Sequence, residues 1–319
     1  MAQNGPLAAI AALIVVVVIA AGATGGYLYV HSKPTTTSGP RLVQLNDNVT
    51  VDYIGIYGSG PDVGKVFDTS LYSVATNNAS YPKSLTYHFR GAPGNFTPLA
   101  VHVGPSTPSN GYSFAGKSFI QVVPGFWQGL EGFAGNVTHL AIVPPALGYG
   151  EPNPACFRTL PLSQQFPIFQ TLQGTQFSAK YPGTLATTGA SFNDPTYGWK
   201  VLILSANATS VSLENVATIG ETSQSAGWPT LVTDVTSTPD GTGRITVLNE
   251  LTPSEAGHIA GHAAQGPCVG SGGGTFIVTA VNPQNGTFTE SFNQEVQGVI
   301  LLFVVTVLNV YSPPKGLVA

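Results

Sequence analysis

Few side chains in this sequence have the type and spacing for covalent or metal chemistry. His258 and His262 stand four residues apart, a spacing that can put two imidazoles on one helix face. No HExxH context surrounds them, so no metal is expected. The run GSGGG at 270–274 is not a phosphate loop, because neither Lys-Ser/Thr nor a helix pattern follows it. No Ser/His/Asp arrangement stands out. The two cysteines, Cys156 and Cys268, could form one disulfide in an oxidising compartment, closing a long loop and constraining the unfolded chain by several kcal/mol on the loop-entropy model. Asp68 is different. It follows Val66-Phe67, and a carboxylate in apolar company needs a partner, so it is less easily explained as core.

The elements that would position a site centre on 120–151, IQVVPGFWQGLEGFAGNVTHLAIVPPALGYGE. Ile120–Val123 is a short apolar run. Pro124-Gly125 then turns the chain into a helix with Phe126, Leu130 and Phe133 on one face. Gly135 is expected to end that helix, and Val137–Val143 to form a buried strand stopped by Pro144-Pro145. A small helix between two apolar strands predicts an antiparallel sheet wrapped around one helix. Upstream, period-two alternation from Val49 to Tyr53 predicts a half-buried strand.

Three blocks in this order resemble the FKBP-type peptidyl-prolyl isomerases. The first is Asn-Asp-x-Val-x-Val-x-Tyr-x-Gly followed by Gly-Lys-Val-Phe-Asp-Thr-Ser, at 46–70. The second is Val-Val-x-Gly-Phe, a helix, a strand and Pro-x-x-x-x-Tyr-Gly, at 122–150. The third is Asn-Gln-Glu-x-x-Gly-x-Ile-Leu-Leu-Phe-x-Val, at 293–305. The resemblance implies an α+β fold, an antiparallel half-barrel sheet around one short helix. About 140 residues separate Gly150 from the last strand. They are similar in place to the insert-in-flap domain of the SlyD-like branch and in length to the long archaeal members. The implied division is a membrane anchor or signal at 1–30, a linker at 31–41 and the isomerase domain at 42–150. A β-rich insert follows at 151–287, then the last strand at 288–312 and a tail at 313–319.

Prolyl isomerisation needs no nucleophile, metal or cofactor. Its barrier, about 18–20 kcal/mol, is set by amide resonance. A pocket that holds the proline ring, excludes water and orients the flanking carbonyls favours the twisted amide over the planar one. The resemblance carries this role to Tyr53, Phe67, Asp68, Val123, Phe126, Tyr149 and Phe303, with Leu99 and Val122 lining the pocket. Phe126 would be the floor, and Tyr53, Phe67 and Phe303 the walls. The Val123 N–H and the Tyr149 hydroxyl would donate to the substrate, and Asp68 would hold Tyr53. Two departures stand out. Leu99 replaces an aromatic that many members have, and the loop usually lying over the pocket is replaced by the insert.

The insert reads as three hairpins, around Asn207, around 239–243 and around 282–286, each with Gly or Asn where a tight turn wants positive φ. By resemblance it would bind unfolded chain, with Trp199 and Trp228 as contacts. The alternative is a core role for both indoles and a spacer role for the insert.

Composition bounds the rest. Charged residues are only 8% and net charge is −4, with no basic cluster, so no nucleic-acid partner is expected. Few carboxylates also means little stability lost on protonation, which fits an acidic exterior. Residues 7–30 open with LAAIAALIVVVVIAAGA and carry no charge, and as a helix would span roughly 36 Å. Lys33 and Arg41 after the segment pull toward a cytoplasmic body. Six Asn-x-Ser/Thr sequons, at Asn48, Asn78, Asn95, Asn136, Asn207 and Asn285, pull the other way. The expectation is a single-pass anchored isomerase with its body outside the cytoplasm, acting on proline-containing unfolded or nascent chains. The alternative is a non-catalytic binding or surface-structural protein that keeps the fold.

Overall fold

The computed structural model describes residues 41–105, 111–263, 266–269 and 274–312. The apolar segment 7–30, the linker after it and the tail from residue 313 lie outside the described residues, as does most of the GSGGG run. Among the described residues no helix is long and apolar enough to cross a membrane. The chain divides into two compact units: residues up to Glu151 together with those from Val296, and Pro152–Glu295. Both consist mainly of antiparallel sheet with a few short helices, an α+β arrangement rich in strands.

The first unit runs β1 (Asn48–Tyr57), β2 (Val66–Thr69), the one-turn helix α1 (Tyr72–Ala75), β3 (Leu99–His102), a small hairpin of β4 (Tyr112–Phe114) and β5 (Lys117–Phe119), helix α2 (Pro124–Leu130) and β6 (Thr138–Val143). The chain returns for a last strand, Leu301–Tyr311, numbered β19 because the second unit's strands intervene. The sheet order is β2-β1-β19-β6, and β3 also pairs with β1. Helix α2 packs Phe126, Trp127 and Leu130 onto this sheet, in one core with Val49, Val51, Tyr53, Phe303 and Val305.

Three expectations need correction here. Strand β1 is buried on both faces, not one. Segment 71–97 covers its second face, where Ile54, Val66, Val74 and Val304 form a separate core flanked by Leu71, Tyr81 and Tyr87. Lys83 organises this segment from inside, its ammonium donating to the carbonyls of Val74, Asn77 and Tyr81. Helix α2 ends at Leu130, well before Gly135, because Gly132 takes a left-handed φ of +81°. Phe133 therefore leaves the helix face and stacks on His139 at 4.0 Å. Strand β6 buries only Ala141 and Val143 fully, and Ile142 is 50% exposed, so it is a one-sided strand at the sheet's edge.

The second unit is a threefold arrangement. It opens with β7 (Phe157–Pro161), β8 (Ser163–Phe166) and β9 (Phe169–Gln173), then helix α3 (Gly174–Lys180). Three short-strand-plus-hairpin modules follow. They are β10 (Ser191–Asn193), β11 (Lys200–Ala206) and β12 (Ser210–Val216); β13 (Thr222–Ser223), β14 (Thr230–Thr236) and β15 (Arg244–Asn249); and β16 (Ala260–Ala263), β17 (Gly274–Asn282) and β18 (Thr287–Ser291). Each module takes its fourth strand from the opening run, in reverse order: β9 joins the first, β8 the second and β7 the third. The opening run is periodic in six. Carbonyls of Cys156, Leu162 and Ile168 accept from the N–H groups of Phe292, Asn249 and Asn215 respectively. Leu160, Phe166 and Leu172 face Phe288, Ile245 and Val211. This unit ends later than residue 287, because Phe288 and Glu290 belong to its third sheet.

Candidate functional site

Four aromatic rings converge in the first unit. The edge-to-face pair of Phe126 and Phe303 has centroids 4.7 Å apart. Tyr53 lies 6.2 Å from Phe126 and 6.3 Å from Phe303, and Phe67 lies 5.5 Å from Phe303. Tyr53 from β1, Phe67 from β2 and Phe303 from β19 are brought together by sheet pairing, and α2 packs Phe126 against them to form the bowl. Gly55 makes room for it. A Cβ there would sit 2.6 Å from the Phe67 ring, so only glycine lets that ring lie flat over β1. Leu99, Val122 and Val123 pack against the same cluster.

The polar side of the bowl is a bonded triad. The Tyr53 hydroxyl donates to Asp68 Oδ2 at 2.5 Å. Arg90 Nη2 donates to Asp68 Oδ1 at 2.5 Å and to Tyr53 Oη at 3.1 Å. The Thr69 N–H donates to Asp68 Oδ1 as well, at 2.9 Å. Burial, then the adjacent Asp68 charge, pushes the Tyr53 phenol well above its usual range, with Arg90 opposing. Tyr149 is 43% exposed, and its phenol is raised first by partial burial and then by Asp68. Tyr87 is raised by the same two causes, so both phenols lie within the field of this carboxylate. Tyr53, Phe126 and Phe303 are only 6%, 2% and 5% exposed, so the rings form a mainly buried cluster edged by hydroxyls that stay protonated at neutral pH and by the Asp68 carboxylate.

The structure thus brings Tyr53, Phe67, Asp68, Leu99, Val122, Val123, Phe126 and Phe303 together, with Tyr149 in reach of the Asp68 charge. Sequence reasoning missed Arg90. Its signal was available: it is the only arginine between Arg41 and Arg158, and no acidic residue lies between Asp68 and Glu131. In so sparsely charged a chain, that cation has few partners to choose from.

Other assigned residues fall elsewhere. Trp199 and Trp228 are not surface contacts. They are 2% and 6% exposed, and their indole N–H groups donate to Asn215 at 3.3 Å and Asn249 at 2.9 Å. Both clamp hairpin cores of the second unit. In the third sheet Phe292 stands in the place of those asparagines, and there a disulfide joins Cys156 to Cys268. His258 lies in a turn and His262 in β16, so their spacing does not make a helix-face pair. Asn48 is fully buried, its Oδ1 taken by His102 and Tyr112, and the folded chain cannot present it for glycosylation. Asn78, Asn95, Asn136, Asn207 and Asn285 are exposed. Compared with models of protein families and with curated proteins, the chain matches none.

Proposed function

We propose that this protein is an FKBP-type peptidyl-prolyl cis-trans isomerase acting on proline-containing polypeptides outside the cytoplasm. The observation that carries this reading is the bowl of Tyr53, Phe67, Phe126 and Phe303 with the Asp68–Tyr53 hydrogen bond at its rim. A proline ring is a small apolar body, and aromatic faces and edges suit it. Among the described residues nothing accepts from the Val123 N–H at the start of α2, which leaves that donor for a substrate carbonyl. The Tyr149 hydroxyl is a second donor, kept protonated at neutral pH. Chemistry then reduces to binding the twisted amide better than the planar one.

The extracytoplasmic placement is supported by the Cys156–Cys268 disulfide, by five exposed sequons and by the uncharged segment 7–30, which we read as the anchor. A second reading, a binding protein without catalysis, is favoured by one observation. Phe126 and Phe303 are only 2% and 5% exposed, so the bowl is shallow. The test is exchange NMR on an X-Pro peptide with the full-length chain. Catalysis that falls in both Asp68→Ala and Tyr149→Phe supports the isomerase. A folded wild type without catalysis refutes it.

A further inference from the structure

Segment 71–97 carries a second aromatic surface beside the bowl. Tyr72, Phe89 and Phe96 meet ring to ring, with centroids 6.3 Å apart for Tyr72–Phe89, 5.5 Å for Tyr72–Phe96 and 5.7 Å for Phe89–Phe96. Tyr72 is 38% and Phe89 46% exposed. Phe96 is half-buried beneath them, and together the three rings make an exposed aromatic patch of the kind that contact sites use.

Arg90 joins this surface to the bowl. Its guanidinium carbon lies 5.9 Å from the Phe96 ring centre, while Nη2 reaches Asp68 and Tyr53. The Asn95 side chain donates to the Arg90 carbonyl, which fixes the turn between Phe89 and Phe96. The Phe96 ring is therefore no more than about 10 Å from the Asp68 carboxylate, the reach of about three extended residues. A lipid surface is a poor match. It asks for free cations, and the two of this segment are spoken for, Lys83 by backbone carbonyls and Arg90 by Asp68.

We propose that Tyr72, Phe89 and Phe96 form an accessory subsite for an apolar or aromatic side chain of the same extended polypeptide whose proline occupies the bowl, about three residues along from that proline. This rests on the isomerase reading. The enzyme would then select prolines that have a large apolar neighbour at that distance, the kind of sequence exposed in an unfolded chain.

The test uses the full-length protein and two sets of alanine-based Leu-Pro peptides, with phenylalanine or alanine three residues to either side of the proline. Binding is read by titration and turnover by exchange NMR, for wild type and for Tyr72→Ser and Phe89→Ser. Near-UV circular dichroism checks that both exposed-site variants fold. The expected result is roughly fivefold tighter binding of one phenylalanine peptide by wild type. Each variant loses that advantage while alanine-peptide turnover stays unchanged. Equal binding of all peptides by wild type overturns the subsite, whether or not turnover is seen. If no peptide is turned over but the variants lose phenylalanine-dependent binding, the isomerase reading fails and the subsite stands. If neither appears, both fail.

Discussion

Asp68 holds Tyr53 and Arg90 at once, one carboxylate oxygen accepting from the phenol and the other from the guanidinium. The phenol is thereby fixed in rotation, and burial first, then the Asp68 charge, keep it protonated against the pull of Arg90. Both ions of the Arg90–Asp68 pair are about one-third exposed, so the pair itself stabilises the fold by no more than about 1 kcal/mol. Arg90→Met is expected to leave the unfolding midpoint nearly unchanged. It is also expected to lower prolyl-peptide kcat/KM about fivefold by loosening the Asp68–Tyr53 bond. Thermal unfolding and exchange NMR on the same sample separate the two effects.

Gly55 offers a sharper test of the bowl's shape. Gly55→Ala drives a methyl group into the Phe67 ring, and overpacking of this kind costs about 1–3 kcal/mol. Prolyl-peptide binding should weaken with it, since Phe67 forms one wall. Denaturant unfolding measures the first effect and titration the second. Unchanged binding would show that the Phe67 wall is not used.

In the second unit, Asn215 accepts from the Trp199 indole, donates to the Pro167 carbonyl and sends its own N–H to Ile168. Asn215→Ala leaves a buried indole N–H without a partner. The expected loss is about 1–3 kcal/mol, visible in Trp fluorescence as an earlier transition. The matching change at Asn249, which clamps Trp228, should cost a similar amount.

The Cys156–Cys268 bond closes a loop with a sequence separation of 112 residues. On the chain-entropy model, reduction should destabilise the second unit by about 4–5 kcal/mol. Calorimetry with and without a reductant reads the shift. A midpoint unmoved by reduction would show that packing of the third sheet is sufficient by itself.

His102 gives the first unit a pH dependence. It is 8% exposed, and its Nδ1 lies 3.0 Å from Asn48 Oδ1 and 3.1 Å from Tyr112 Oη; burial holds its pKa below the usual value. The unfolded chain therefore takes up the proton first, so stability is full above pH 6.5 and falls as pH drops below it. His102→Gln should flatten that slope between pH 7 and 5 in denaturant titrations. Glu290 works in the opposite direction. Burial raises its pKa against the pull of Arg158, so acid relieves a cost there.

Much of the bowl was legible because its residues sit on regular strands and on one helix, where apolar runs and breakers set the pattern. Tyr53, Phe67, Phe126 and Phe303 come from four separate elements, and only the order of three sequence blocks suggested that they meet. The three hairpins were legible too, although Asn207 makes its turn differently. Its side-chain oxygen accepts from the N–H groups of Thr209 and Ser210, with no positive φ. The strands across 157–173 were not legible. Pro161 and Pro167 read as strand breakers, yet they lie where the chain passes from one sheet to the next. Arg158, Gln164 and Gln170 face the side of Leu160, Phe166 and Leu172, which spoils a simple alternation. Arg90 and the Tyr72–Phe89–Phe96 surface lie in a segment whose folding depends on one inward lysine, a tertiary fact with no periodic trace.

The reversed pairing of β7, β8 and β9 is nested, like brackets closed from the inside outward. During synthesis the first hairpin meets the nearest waiting strand, the second the next, and the third the farthest. Cys268 lies between β16 and β17, so both sulfurs are present before β17 and β18 complete the third sheet. Strand β19, which pairs with both β1 and β6, emerges later still. The aromatic bowl therefore lacks the Phe303 wall until the whole intervening unit has been made. A chain interrupted anywhere before that point carries an open sheet edge and no finished pocket, which makes the bowl a late readout of complete synthesis.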